Sequence, residues 1–259
     1  MRNKSNILFL GNRNNTLYEY LSEKESVKYI GPNTSVNLQF VEDNKIDYII
    51  SYGYKKIITK DIVEKYKGKI INLHISYLPW NRGASPNVWS FIENTPKGVS
   101  IHYIDDGIDT GDILLQKIVH FEDLTKETFK TTYVKLCNEI EKLFISNWKN
   151  IKNQNIVPVK QILKEGSFHT VKQSSALFNK MNLDNNWDKN VVDFMNFKRQ
   201  DEDIINDIQN IRTQNNTHWM DVVKLAFREA PEEARSIFKK IKFCDHKVNQ
   251  LLEELSEND

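Results

Sequence analysis

The sequence predicts an α/β fold: a mostly parallel twisted sheet flanked by helices, with a smaller, mainly helical C-terminal extension. Three observations predict it. Short continuous apolar runs such as Ile7–Leu10 read as strands buried on both faces. These runs alternate with amphipathic stretches of helical spacing as far as Lys149, the order of repeated strand–helix units. From Asp201 onwards only helical periodicity remains.

Each element follows in order. Ile7 to Leu10 is the first strand, and Gly11-Asn12 turns the chain out of it. Thr16 to Ser22 reads as a short helix and Val27 to Ile30 as the second strand. Thr34 or Ser35 is placed to cap a helix running towards Asn44. Ile46 to Ser51 is a strand, Lys60 to Tyr66 a helix, and Lys69 to His74 the next strand. Pro86 opens a helix reaching Asn94. Val99 to Tyr103 and Ile113 to Phe121 are strands on either side of a glycine-flanked loop. Thr125 or Thr128 starts a long helix with Phe129, Tyr133, Leu136, Ile140, Leu143 and Phe144 on one apolar face. A polar linker (Lys149 to Val157) leads to a strand over Pro158 to Leu163 and a helix over Ser174 to Met181. Four apolar stripes fill the tail: Ile204/Ile208/Ile211, Trp219/Val223/Phe227, Ala234/Ile237/Phe238/Ile241 and Val248/Leu251/Leu252/Leu255. Pro231 starts one of its helices and Asp245 is placed to cap the last. The expected organisation is a catalytic domain over 1–150, a mixed segment over 151–200 that completes the substrate site, and a helical tail over 201–259.

Composition excludes several classes. The formal net charge is +1, from 36 basic and 35 acidic side chains, which gives no electrostatic case for a nucleic-acid binder, though it leaves room for a local anion site. The two cysteines, Cys137 and Cys244, lie far apart in helix-like contexts, as in a reduced compartment without disulfides or a metal cluster. No apolar run reaches the roughly 18 residues of a membrane span, and Ile7–Leu10 is too short for a signal-peptide core. The expected setting is cytoplasmic, with no membrane, nucleic-acid or metal partner.

The chemistry is concentrated in Asn72-Leu73-His74-Ile75-Ser76-Tyr77-Leu78-Pro79 and Gly107-Ile108-Asp109-Thr110-Gly111-Asp112. Asn72 and His74 are two apart, so on a strand they share a face. Asp109 follows in a loop where Gly107 and Gly111 are expected to permit positive φ. An amide, an imidazole and a carboxylate together suit reaction at a carbonyl. The amide and a protonated ring donate to a developing oxyanion, the ring carries protons, and the carboxylate orients it. At the end of the first strand, Asn12 and Arg13 precede a helix whose backbone N–H groups favour an anion. His102 reads as a structural strand residue, and His120, His218 and His246 as surface or packing residues.

These motifs, together with Trp80-Asn81-Arg82-Gly83, Pro86, Trp89, Gly98-Val99-Ser100-Ile101-His102 and Ile113-Leu114-Leu115-Gln116, resemble the formyltransferases that use N10-formyltetrahydrofolate. The resemblance is dense from Asn72 to Gln116. It implies a Rossmann-like formyltransferase fold and a catalytic triad of Asn72, His74 and Asp109. It implies a pteridine site built from Lys56, Ile58, Ile104 and Gly107, with N10-formyltetrahydrofolate as co-substrate and no metal. Acceptor contacts are expected from Asn12, Arg13, Ser76, Trp80, Asn81 and Arg82. His169 joins them because Gly166-Ser167-Phe168-His169 is similar to a Gly-Thr-Tyr-His stretch of sugar N-formyltransferases.

The resemblance leaves three acceptors: a nucleotide-linked amino sugar, the amine of methionyl-tRNA, and glycinamide ribonucleotide. The motif wording is closest to the sugar enzymes, implying surface-polysaccharide or nonulosonic-acid biosynthesis. A binding module or scaffold without turnover is the reading of another class. The amphipathic tail is expected to cover the core, dock a partner or pair two copies as a homodimer.

Overall fold

The computed structural model describes residues 4–183, 186–195 and 201–256. The chain runs β1 (Asn6–Gly11), α1 (Thr16–Lys24), β2 (Ser26–Ile30), α2 (Leu38–Asp43), β3 (Tyr48–Tyr52), α3 (Lys60–Lys65) and β4 (Ile70–His74). It continues through β5 (Arg82–Gly83), α4 (Pro86–Ile92), β6 (Gly98–Tyr103), β7 (Ile113–Ile118), α5 (Phe129–Lys152), β8 (Phe168–His169) and α6 (Val171–Met181). Two long helices follow, α7 (Asp201–Glu229) and α8 (Pro231–Ser256). Contacts divide the chain into two units, Met1–Phe197 and Lys198–Asp259. The segment expected as a separate 151–200 stretch therefore falls, as far as Phe197, in the first unit.

Six strands form one sheet in the order β2-β1-β3-β4-β6-β7. The pairs β1–β2, β1–β3 and β3–β4 are parallel, while β4–β6 and β6–β7 are antiparallel. Alternation sorts the side chains of β1 between two layers. Ile7 and Phe9 join Leu17 and Leu21 of α1 and Leu136, Ile140 and Phe144 of α5. Leu8 and Leu10 join Val41 of α2 and Ile62 of α3. A third cluster of Val88, Phe91, Phe129, Leu177 and Met181 ties α4, α5 and α6 together.

Local chemistry explains the helix starts. Asn37, rather than Thr34 or Ser35, caps α2 by accepting from the Phe40 N–H. Thr128 opens α5 in a reciprocal pair with Thr131, and Thr170 does the same with Gln173, starting α6 earlier than its apolar periodicity indicated. The strand expected over Pro158–Leu163 is a single bridge, Val159 to Ile113, with Val157 and Val159 exposed. No helix starts at Asp245, because α8 runs through it without a break.

In the second unit α7 and α8 meet at Ala230, with the Phe227 and Phe238 rings 5.4 Å apart and Ala234 buried. Trp219, Val222, Leu225 and Ile237 are exposed. The Ile204/Ile208/Ile211 and Val248/Leu251/Leu252/Leu255 stripes, Cys244 and His246 lie outside the residues whose side chains are described. No helix among the described residues is long and apolar enough to cross a membrane.

Candidate active site

β1, β3 and β4 run parallel and end on the same edge of the sheet, at Gly11, Tyr52 and His74. The strand order reverses around β1, the position where open α/β sheets form a crevice. β1 and β3 approach closely there. Gly11 has φ 139°, and a Cβ on it would lie 1.8 Å from the Tyr52 carbonyl oxygen.

Asn72 and His74 project from β4 on the same side of the sheet. His102 sits directly opposite Asn72 across the antiparallel β4–β6 pair. The Asp109 loop closes over them. Asn72 Nδ2 donates to Asp109 Oδ1 at 3.1 Å and lies 3.3 Å from His102 Nε2. His74 Nδ1 is 3.6 Å from Asp109 Oδ2, and His102 Nε2 is 3.4 Å from Oδ1. His74 Nε2–H meets the Asn81 carbonyl at 3.0 Å, which leaves Nδ1 as the ring nitrogen facing Asp109. His102 Nδ1–H donates to the Tyr103 carbonyl at 2.7 Å, fixing that ring in the same way.

His102 was expected to be a structural strand residue; it is buried, and its ring also faces the Asp109 carboxylate. Its own strand carries no mark of this. Only the pairing of β4 with β6 brings it opposite Asn72.

Asp109 is nearly enclosed. Its Oδ2 accepts the Gly83 N–H at 2.8 Å. Gln161 Nε2 donates to the carbonyls of Asp109 and Gly111 at 3.0 and 2.7 Å, holding the loop from the outside. Burial pushes the Asp109 carboxyl up, but the charges of His74 and His102, the His102 hydrogen bond and the Gly83 N–H outweigh it. The group is held well below the usual carboxylate range. The expected role of the flanking glycines is also corrected. Positive φ falls on Asp109 itself, at 52°, and not on Gly107 or Gly111. Gly111 is needed for close approach, since a Cβ there would sit 1.9 Å from the Tyr103 carbonyl oxygen.

The other expected contacts separate. Asn81 is fully buried and its side chain is used internally: Nδ2 donates to Thr95 Oγ1 and Oδ1 accepts from Ser167 Oγ. Ser76 is buried and donates to the Trp80 carbonyl at 2.7 Å. Both shape the loop, and neither presents a free side chain to an acceptor. Trp80 and Arg82 are half-buried on that loop. His169 is buried, stacked on Trp89 at 3.9 Å, with Nε2 3.1 Å from Glu93 Oε2.

Asn12 and Arg13 are exposed, with the Arg13 guanidinium 5.3 Å from the Tyr29 ring centre. The expected anion position at the start of α1 is partly taken by the protein. Glu141 Oε2 accepts the Thr16 N–H at 3.2 Å and Asn15 accepts from Tyr18. Lys56 and Gly107 are exposed, whereas Ile58 and Ile104 pack at the margin of the same apolar cluster.

The sequence profile of the formyl transferase family matches residues 15–146. This chain belongs to the formyl transferase family. The formyl transferase domain also matches a methionyl-tRNA formyltransferase of Prochlorococcus marinus at 31% identity over 176 residues, covering 66% of this chain. This match spans about half, 53%, of that relative's length. Among solved structures, the formyltransferase PseJ from Anoxybacillus kamchatkensis superposes with a TM-score of 0.66 and 42% identity, over 73% of this chain and 97% of that one. PseJ was crystallised with UDP-4,6-dideoxy-4-formamido-L-AltNAc and tetrahydrofolate. An N-formyltransferase from Helicobacter canadensis, in complex with folinic acid and dTDP-3-aminofucose, gives a TM-score of 0.54 at 25% identity, over 66% and 72% of the two chains.

Proposed function

We propose that this chain transfers a formyl group from N10-formyltetrahydrofolate to the amine of a nucleotide-linked amino sugar. The observation that carries the reading is the PseJ match: 42% identity over 97% of a chain seen with a formamido sugar nucleotide and tetrahydrofolate. The methionyl-tRNA enzyme of Prochlorococcus marinus is less similar, at 31% identity, which favours the sugar acceptor over tRNA.

The chemistry follows from the geometry. The acceptor nitrogen attacks the formyl carbon and the carbonyl oxygen becomes an oxyanion. One Asn72 amide hydrogen stays on Asp109. The second amide hydrogen, on the side facing His102 Nε2 at 3.3 Å, turns to the oxyanion. Such a donor is worth roughly 2.7–4 kcal/mol at the transition state. His74 Nδ1 takes the proton leaving the amine and returns it to folate N10 as the carbon–nitrogen bond breaks. Asp109 stays ionised and stabilises the imidazolium.

The test is to incubate the protein with N10-formyltetrahydrofolate and a panel of UDP- and dTDP-linked amino sugars, with methionyl-tRNA alongside, and to follow release of tetrahydrofolate. Turnover with a sugar nucleotide is expected. Turnover with methionyl-tRNA alone overturns the acceptor, and binding of both ligands without any turnover assigns a binding module.

A further inference from the structure

The imidazole and the carboxylate of the candidate site, His74 and Asp109, stand 3.6 Å apart on separate segments of the chain. His74 is held through its Nε2–H by the Asn81 carbonyl at 3.0 Å, and the carboxylate is carried by the loop between β6 and β7. Asn81 and Asp109 each take a left-handed backbone, with φ 55° and 52°. Residues other than glycine persist in that region only where their surroundings over-determine them.

One short segment, residues 159–169, supplies those constraints at both places. Val159 begins it in a mutual backbone pair with Ile113, both bonds 2.8 Å. Gln161 then aims its side-chain amide at the Asp109 loop, donating from Nε2 to the carbonyls of Asp109 at 3.0 Å and Gly111 at 2.7 Å. It does so with Oε1 buried and unpartnered among the described residues, a cost that a side chain serving only to fill space does not incur. Gly166 passes against the loop after β4, where a Cβ would lie 2.1 Å from the Pro79 carbonyl oxygen. Ser167 Oγ accepts the Asn81 N–H at 3.0 Å and donates to Asn81 Oδ1 at 3.1 Å. The same segment therefore fastens the residue that holds His74 and the residue that faces it.

We infer that Gln161 and Ser167 are positioning residues for formyl transfer, which set the distance between His74 and Asp109 by clamping the backbone on either side. Gln161 acts on Asp109 through its carbonyl, and Ser167 acts on His74 through Asn81. The inference rests on the formyl-transfer reading and adds what holds its catalytic pair together. A misplacement of about 1 Å can cost on the order of a hundredfold in rate. A clamp across a 3.6 Å gap therefore matters to turnover more than to ligand binding.

The test uses the full chain as wild type, Gln161→Met, Ser167→Ala and Ser167→Thr, assayed with N10-formyltetrahydrofolate and the UDP- or dTDP-linked amino sugar that wild type turns over. Gln161→Met keeps the reach of the side chain and removes its donors. Gln161→Met and Ser167→Ala should each lose about 10–100-fold in kcat, with KM for both substrates within about twofold of wild type. Ser167→Thr, which keeps the hydroxyl, should return most of the lost rate. A kcat in Gln161→Met within about twofold of wild type, or a raised KM with kcat unchanged, overturns the inference. A melting cycle reads the same coupling without turnover. Asp109→Asn should lower the melting temperature less in the Gln161→Met background than in wild type, because the carboxylate there has already left its partners. Additive shifts overturn the inference. A wild type without turnover overturns the proposed function, and the melting cycle then still decides the clamp.

Discussion

At the scale of single residues, the site turns on a carboxylate that burial alone would neutralise. Asp109 stays ionised because it meets the Gly83 N–H, the Asn72 amide and two imidazoles. Its folded pKa is depressed, so its contribution to stability is complete above the unfolded value of about 3.9 and is lost as pH falls through the lower folded value. Asp109→Asn should therefore destabilise at pH 7 by about 1.5–3 kcal/mol, the worth of hydrogen bonds to a charge. The deficit should shrink as pH drops below about 4. Denaturant unfolding of both proteins at pH 7 and pH 3 checks it, and an equal deficit at both pH values refutes the electrostatic account. In turnover the same variant should lose at least about 100-fold in kcat, since an unoriented imidazole transfers protons poorly.

At the scale of elements, the crevice depends on how closely strands β1 and β3 end. Gly11 is unusual in needing both its φ of 139° and its missing Cβ, because the Tyr52 carbonyl oxygen occupies that space. Gly53 has φ 68° but open space around it. Gly11→Ala should therefore cost more stability than Gly53→Ala: about 1–3 kcal/mol of overpacking on top of backbone strain for the first, and strain alone for the second. Thermal melts of the two variants side by side decide it, and equal shifts would show that the β1–β3 contact yields easily. Glu141 works at the same scale from α5: it accepts the Thr16 N–H at the start of α1 and the Tyr52 hydroxyl at the end of β3. One carboxylate thereby sets where both elements stand at the crevice.

At the scale of the molecule, the sheet carries the candidate site within the first unit, Met1–Phe197, and the long helices α7 and α8 belong to the second. A ligand that binds only the folded sheet stabilises it by mass action, by about 2.7 kcal/mol at a hundredfold excess over Kd. Tetrahydrofolate should therefore raise the melting transition followed by tryptophan fluorescence. Trp89 and Trp148 are buried in the first unit and report it. No shift at saturating tetrahydrofolate would remove folate from the site.

What the sequence alone determined was whatever a short window of chain encodes. The apolar runs of β1, β3 and β4 and the face of α5 follow from periodicity. So does the shared side of Asn72 and His74, because a strand alternates every two residues. The ordered motifs also marked Asp109. Tertiary structure decided the rest, because those contacts join distant segments. His102 meets Asn72 only through antiparallel pairing across 30 residues. Asn81 is buried by Ser167, 86 residues away, and Glu141 reaches α1 across 125. Glycine-rich spacing around Asp109 pointed to flexible backbone at Gly107 and Gly111, whereas the folded loop put the left-handed conformation on Asp109 and used Gly111 for clearance. Local pattern specifies which face a side chain occupies; only packing specifies what stands opposite it.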